Sequence, residues 1–236
     1  MSFFKFKQFT IQQDKCAMKV GTDGVLLGAW VKIKEDVINI LDIGSGTGLI
    51  ALQMAQRSNA ELIDAVEIEP QAYEQTVENF EASDWSDRLF CYHSSFQDFA
   101  DEIEEKYDLI VSNPPFFECD NQIKSKERAL ARQNTHLSYD DLLRCSAQLL
   151  SEKGSCAFII PYLEEKIFLD LASKNKLYPQ RITRVKGNKA TATKRSLLQF
   201  SFTETRPKIE ELVIELSRHN YTEDYKYLVK DFYLKM

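Results

Sequence analysis

Two short stretches of this chain combine residue types that do chemistry. Residues 41–48 read Leu-Asp-Ile-Gly-Ser-Gly-Thr-Gly, and residues 113–116 read Asn-Pro-Pro-Phe. In the first, Gly44, Gly46 and Gly48 let the backbone take positive φ and approach a ligand closely. Such a turn between a buried strand and a helix binds a nucleotide-like cofactor. The spacing is GxGxG, where dinucleotide loops carry GxGxxG, and Asp42 stands two residues before the first glycine. An acid at that place suits an ammonium group and repels a diphosphate. In the second stretch, the side-chain oxygen of Asn113 and the backbone carbonyl of Pro114 are acceptors for the two hydrogens of a planar amine. Pro115 restricts the backbone of Pro114. Phe116 offers a flat face, and stacking there is worth about 1–3 kcal/mol per base. Two acceptors favour a more tetrahedral nitrogen whose lone pair can be aimed at an electrophile. No general base is needed, because the resulting ammonium is very acidic, so positioning carries most of the catalysis.

Further candidates surround these two loops. Glu67 ends the stretch Ala65-Val66-Glu67, where a carboxylate can accept from both hydroxyls of a ribose. After residues 89–93 an acid can take the amino group of a cofactor adenine. Ser95 holds the nearer place there and Asp98 has the better chemistry, so both stay open, with Asp98 slightly favoured. Phe117 adjoins Phe116, and only one of the two need face a substrate. Downstream, Arg128 and Arg132 are four apart and share one face if helical, so they are candidates to grip phosphates. His136 is placed to bond near the pocket or cap the next helix.

These residues need a scaffold, and the pattern supplies one. Residues 37–43, 62–67, 89–93, 107–112 and 155–160 read as strands. Residues 47–56, 70–82, 139–150 and 163–173 read as helices, with Pro70 at a first helical position and Ser138 with Asp141 in a capping-box-like arrangement. Such alternation predicts an α/β fold, a mostly parallel sheet with helices on both faces. Residues 178–185, 195–202 and 211–216 then read as strands without helices between them, and the first two fit an antiparallel pair added to a parallel sheet. A closing helix is predicted over 223–233. Phe4, Phe6 and Phe9 with interleaved lysines predict a strand or hairpin laid over the core. The expected organisation is one domain, with residues 1–36 as an N-terminal cap on 37–236.

The chain has 236 residues, 44% hydrophobic, which suffices for one core. Its five cysteines show no paired spacing. Reduced thiols and a cytoplasmic location are expected, with no zinc site. No apolar run approaches the roughly 18 residues that span a bilayer, and residues 1–6 lack the features of a signal peptide. Neither a metal nor a membrane is an expected partner, and the chain is expected to be a monomer. The net charge of −6 argues against indiscriminate nucleic-acid binding. It leaves room for local basic runs at 124–132 and at 181–195, where Arg181, Arg184, Lys186, Lys189, Lys194 and Arg195 have no acid among them.

Taken together, these motifs resemble the bacterial tRNA1(Val) (adenine(37)-N6)-methyltransferases. The resemblance rests on Phe9-Thr10-Ile11-Gln12-Gln13, on residues 18–30, on the glycine loop, on Val66-Glu67-Ile68-Glu69, on Asn113 to Phe117, and on Ala131-Arg132 with His136. It covers nearly the whole chain, and Thr22-Asp23-Gly24 is its most specific part. It implies a Rossmann-like class I methyltransferase fold with a seven-stranded, mostly parallel sheet and an antiparallel C-terminal strand pair. It implies S-adenosylmethionine as cofactor, leaving S-adenosylhomocysteine, and adenine 37 of a valine tRNA as substrate, methylated on N6. By the same resemblance Thr22, Asp23 and Gly24 lie beside the cofactor. Two departures stand out: Phe116 takes a place where tyrosine is also common, and the acid after the third strand is displaced or replaced by Ser95. A protein glutamine N5-methyltransferase shares the Asn-Pro-Pro logic but ordinarily brings a helical N-terminal domain. A catalytically idle RNA-binding module on the same fold would not need Asn113, Pro114 and three glycines.

Overall fold

The computed structural model describes residues 2–115 and 137–235. In chain order the elements are β1 (Phe3–Lys5), β2 (Thr10–Gln12), α1 (Thr22–Trp30), β3 (Asn39–Ile43), α2 (Leu49–Arg57), β4 (Leu62–Glu67), α3 (Pro70–Glu81), β5 (Leu89–His93), α4 (Phe96–Glu102) and β6 (Tyr107–Ser112). They continue with α5 (Tyr139–Leu149), β7 (Leu150–Pro161), a 3-10 turn (Tyr162–Glu164), α6 (Glu165–Lys174), β8 (Tyr178–Asn188), β9 (Thr193–Ser201), β10 (Lys208–Ser217), β11 (Asn220–Tyr221) and α7 (Glu223–Val229).

One sheet runs in the order β11-β10-β8-β9-β7-β6-β3-β4-β5. β3 to β7 are mutually parallel, and β9 inserts antiparallel between β7 and β8. The expected strands are all present. The sheet reaches nine strands because β10 pairs in parallel with β8 and the short β11 folds back on β10. Central strands are apolar on both faces because helices cover both. Ile40, Leu109 and Val111 enter a core with α1, α2 and the N-terminal hairpin, whereas Leu41, Ile43 and Ile110 enter a second core with α4, α5 and α6.

Several boundaries differ from expectation for local reasons. The helix expected from residue 47 begins at Leu49, because Gly48 at φ 76° forms its N-cap. The short helix α4 was not anticipated; Ser95 caps it, accepting from the Asp98 amide. The closing helix ends at Val229. The hairpin expected near the N-terminus is β1–β2. Phe6 stacks between Phe4 and Phe9 and against Tyr233, with ring centroids 4.8–5.8 Å away. The Lys7 amide donates to the Phe232 carbonyl. The two ends of the fold are thereby joined.

Candidate functional site

β3 pairs with β4 on one side and β6 on the other, so the strand order reverses there. Parallel sheets open a crevice at the C-terminal ends of such strands. The crevice here is a cavity of ≈ 650 Å³. Four strand ends furnish its walls: Gly44 and Gly46 after β3, Glu67 with Ile68 at β4, Ser95 and Asp98 after β5, and Asn113, Pro114 and Pro115 after β6. Cys16, Ala17 and Met18 add a wall from the N-terminal segment. A cavity of similar size, ≈ 620 Å³, lies among α1, β8, β10 and α7. It lacks a glycine turn, and its Arg181 is engaged by Glu210 at 2.8 Å.

The glycine turn is shaped by hydrogen bonds. Gly46 sits at φ 59°, the left-handed region that glycine tolerates best. Its amide donates to Glu67 Oε2 at 2.8 Å, and its carbonyl accepts from Thr76 Oγ1 at 2.9 Å. The second carboxylate oxygen, Oε1, accepts from the Glu69 amide at 2.9 Å. Glu67 is thus fixed in orientation at the end of β4, and each oxygen keeps a lone pair for a further donor. Asn79 of α3 donates to the Thr47 carbonyl and to the Gln12 carbonyl, while the Gln12 amide donates to its oxygen. One side chain therefore ties the turn to the N-terminal segment. Cys16 Sγ donates to the Gly46 carbonyl at 3.2 Å, and burial pushes its thiol up to about 11, so it stays protonated.

Ser95 and Asp98 turn out to be partners. Ser95 Oγ donates to Asp98 Oδ2 at 2.6 Å and accepts from the Asp98 amide at 3.1 Å, a capping pair that brings both side chains to the cavity. At the other end, the oxygen Oδ1 of Asn113 is buried and accepts no hydrogen bond among the described residues.

Some residues expected at the cofactor lie elsewhere. Strand alternation puts Asp42 beside Ile40 on the α2 face, fully buried, where Oδ2 accepts from the Ala51 amide at 3.0 Å. It is not in the cavity lining, and its Oδ1 is buried without a hydrogen-bond partner among the described residues. Burial, with the charge of Glu67 adding to it, pushes its carboxyl up to about 7. Gly48 also lies outside the lining; a Cβ there would sit 2.6 Å from Phe80 Cε1, so the glycine lets α3 pack on the turn. Thr22, Asp23 and Gly24 form the first turn of α1 and do not line the cavity. Asp23 pairs with Arg195 at 2.8 Å. Phe116, Phe117, Arg128, Arg132 and His136 lie outside the described residues. Cys16, Met18, Thr76 and Asn79 are parts of the site that sequence reasoning missed. Among the described residues no cluster of His, Cys, Asp or Glu could hold a metal ion, and no helix is long and apolar enough to cross a membrane.

The comparisons with known proteins give the family and the fold. Residues 24–159 match the family model described as methyltransferase small domain. A tRNA1(Val) (adenine(37)-N6)-methyltransferase of Christiangramia forsetii is 56% identical over 235 residues, covering 99% of this chain and 98% of its own. One from Flavobacterium psychrophilum is 55% identical, covering 99% of this chain and 100% of its own. The chain belongs to the tRNA1(Val) (adenine(37)-N6)-methyltransferase family. Among solved structures, a predicted O-methyltransferase from Agrobacterium tumefaciens aligns with TM-score 0.70 at 16% identity, over 89% of this chain and 96% of its own. An M. jannaschii tRNA m1G37 methyltransferase aligns with TM-score 0.59 at 15% identity, over 86% of this chain and 55% of its own. At those identities the likeness is one of fold, and it is the class I methyltransferase fold that the family shares.

Proposed function

We propose that this chain transfers a methyl group from S-adenosylmethionine to the exocyclic N6 of adenine 37 in a valine tRNA. The observation that carries the reading is the buried oxygen of Asn113, without a partner among the described residues, in the cavity that the glycine turn also lines. The residues fit the cofactor: Glu67 can accept from ribose hydroxyls, and the Ser95–Asp98 pair stands where an adenine would be met. A Cβ on Gly44 or Gly46 would meet nothing within 4 Å, so the cavity is open along the turn. Bound there, S-adenosylmethionine supplies a methyl group on a positively charged sulfur.

The protein's own residues do the rest. Asn113 Oδ1 and the Pro114 carbonyl accept the two N–H hydrogens of the target amine and direct its lone pair. The orphaned oxygen costs about 1–3 kcal/mol while it lacks a donor, and the substrate amine relieves that cost on arrival. Phe116 is assigned the stacking role, with Phe117 beside it, and Arg128, Arg132 and His136 are assigned to the tRNA side. A tRNA substrate supports a cytoplasmic site of action.

The test supplies labelled S-adenosylmethionine with total tRNA, duplex DNA and a glutamine-bearing protein in separate reactions. Label recovered as N6-methyladenosine in tRNA is expected. Label only in DNA or protein overturns the reading, however well the cofactor binds.

A further inference from the structure

The basic run at 181–195 looks like a continuous phosphate-binding strip in the sequence, but the structure neutralises most of it. Arg181 pairs with Glu210, Arg184 with Glu165, Lys186 with Glu211 and Arg195 with Asp23, all at 2.7–2.8 Å. Lys189 and Lys194 are exposed and make no ion pair among the described residues. They are also the two cations nearest the tip of the β8–β9 hairpin.

The tip has a defined place and a defined shape. Arg195 of β9 lies opposite Pro161, the last residue of β7, and the β8–β9 ladder continues beyond that point to the pair Lys186 and Thr193. Residues 187–194 therefore project past the end of β7, on the edge of the sheet where the cavity opens. β9 is two strands from β6, which places the hairpin about 10 Å to the side of the Asn113 loop at the usual strand spacing. Asn188 and Thr191 fasten the turn: the Asn188 amide donates to Thr191 Oγ1, the Ala190 amide to Asn188 Oδ1, and Thr191 Oγ1 to the Asn188 carbonyl. At its root, Arg195 holds the hairpin to the first turn of α1 through Asp23. Two free ammonium groups are thus carried on a rigid projection beside the cavity mouth, on a chain whose net charge is −6.

We infer that the β8–β9 tip, through Lys189 and Lys194, docks the sugar-phosphate backbone of the anticodon arm of the substrate tRNA. The inference rests on the tRNA reading above. Ammonium groups on an exposed hairpin tip meet phosphates as point charges and read no base. They fix the position and approach of the RNA, while the cavity selects the nitrogen. The short lateral distance from Asn113 puts the contacted phosphates in the same arm as the target base.

The test compares the parent with Lys189→Ala/Lys194→Ala, using full-length tRNA and an isolated anticodon stem-loop across a range of salt. Removal of both lysines should raise KM for either RNA by roughly tenfold and reduce the salt slope by about two, one for each lost phosphate contact. Methyl transfer at saturating RNA and cofactor affinity should stay at parental values. Lys189→Glu/Lys194→Glu should show a larger rise in KM. Lys32→Ala/Lys34→Ala, beyond the C-terminal end of α1, serves as a charge-matched control and should leave KM unchanged. An unchanged KM in the tip variant, a rise confined to full-length tRNA, an equal rise in the control, or a parallel loss of cofactor affinity would each overturn the inference. Failure of the parent protein to methylate tRNA would instead sink the functional reading itself, and that result needs no variant.

Discussion

The two ends of the cavity treat their polar groups in opposite ways. At the glycine-turn end, both oxygens of Glu67 accept backbone hydrogens, Thr76 fixes the Gly46 carbonyl, and Asn79 fixes the Thr47 carbonyl. At the other end, Asn113 keeps a buried oxygen with no partner among the described residues. The first end is set in place before any ligand arrives, so binding there orders little and loses little entropy. The second end holds an acceptor in reserve. Its missing hydrogen bond is one the substrate can make, and that is how an interaction comes to favour the reacting complex over the resting one.

The comparison can be broken most decisively at Asn113. Asn113→Ala should lower the methyl-transfer rate by roughly 10²–10³, the range seen when one preorganised polar group is removed from a reacting centre. Cofactor affinity measured by calorimetry should change by no more than about twofold, and a parallel loss of both would mean that the loop had collapsed. Glu67→Ala attacks the saturated end. It should weaken cofactor binding by roughly 10²–10⁴-fold, the loss of two charge-assisted hydrogen bonds worth about 1.5–3 kcal/mol each. Turnover at saturating cofactor should recover towards the parent, which separates this end from the Asn113 end.

Two smaller effects sharpen the same contrast below the cavity. Gly48→Ala brings a Cβ to 2.6 Å from Phe80 at a φ of 76°. Overpacking of this kind costs about 1–3 kcal/mol, and each kcal/mol should lower the melting temperature by roughly 2–4 °C in a chain of this size. Asp42 gives a pH effect. Its folded carboxyl is raised from 3.8 to about 7, so between those values the folded protein keeps a proton that the unfolded chain has released. The contribution of this group to stability is therefore full below about pH 4, falls as pH rises and is flat above 7. Asp64, raised to about 6 by burial, acts in the same direction over a narrower window. Asp42→Asn should flatten the fall in denaturant midpoint between pH 5 and 7. An identical slope in parent and variant would show that Asp42 is ionised in the fold.

What could be read from sequence was what depends on one residue type at one backbone position. The glycine turn, the Asn-Pro-Pro loop, Glu67 at a strand end and the capping pair at Ser138 and Asp141 are of that kind. The antiparallel β9 was legible because no helix separates it from β8. The remainder depends on partners distant along the chain. Nothing near Asn79 announces that its amide reaches both Thr47 and Gln12. Nothing near Lys186 announces that Glu211 will neutralise it from the next strand. Asp42 is instructive in another way. Alternation along β3 puts it on the α2 face with Ile40, whereas its nearness to the glycines suggests a ligand contact. Ser95 and Asp98 posed as alternatives until α4 was seen to begin between them.

The joining of the two ends of the fold has a consequence for synthesis. Phe6 and Lys7 leave the ribosome long before the Tyr233 ring and the Phe232 carbonyl that they meet. The same early segment continues into Cys16 and Met18, which wall the cavity. A nascent chain can build the parallel strands β3 to β7 while translation continues, but its first residues must wait. A chain stalled before residue 225 should present a formed glycine turn behind a loosely attached wall, and should release cofactor faster than a chain that includes residues 232 and 233. Competence to hold the methyl donor thus awaits synthesis of Phe232 and Tyr233.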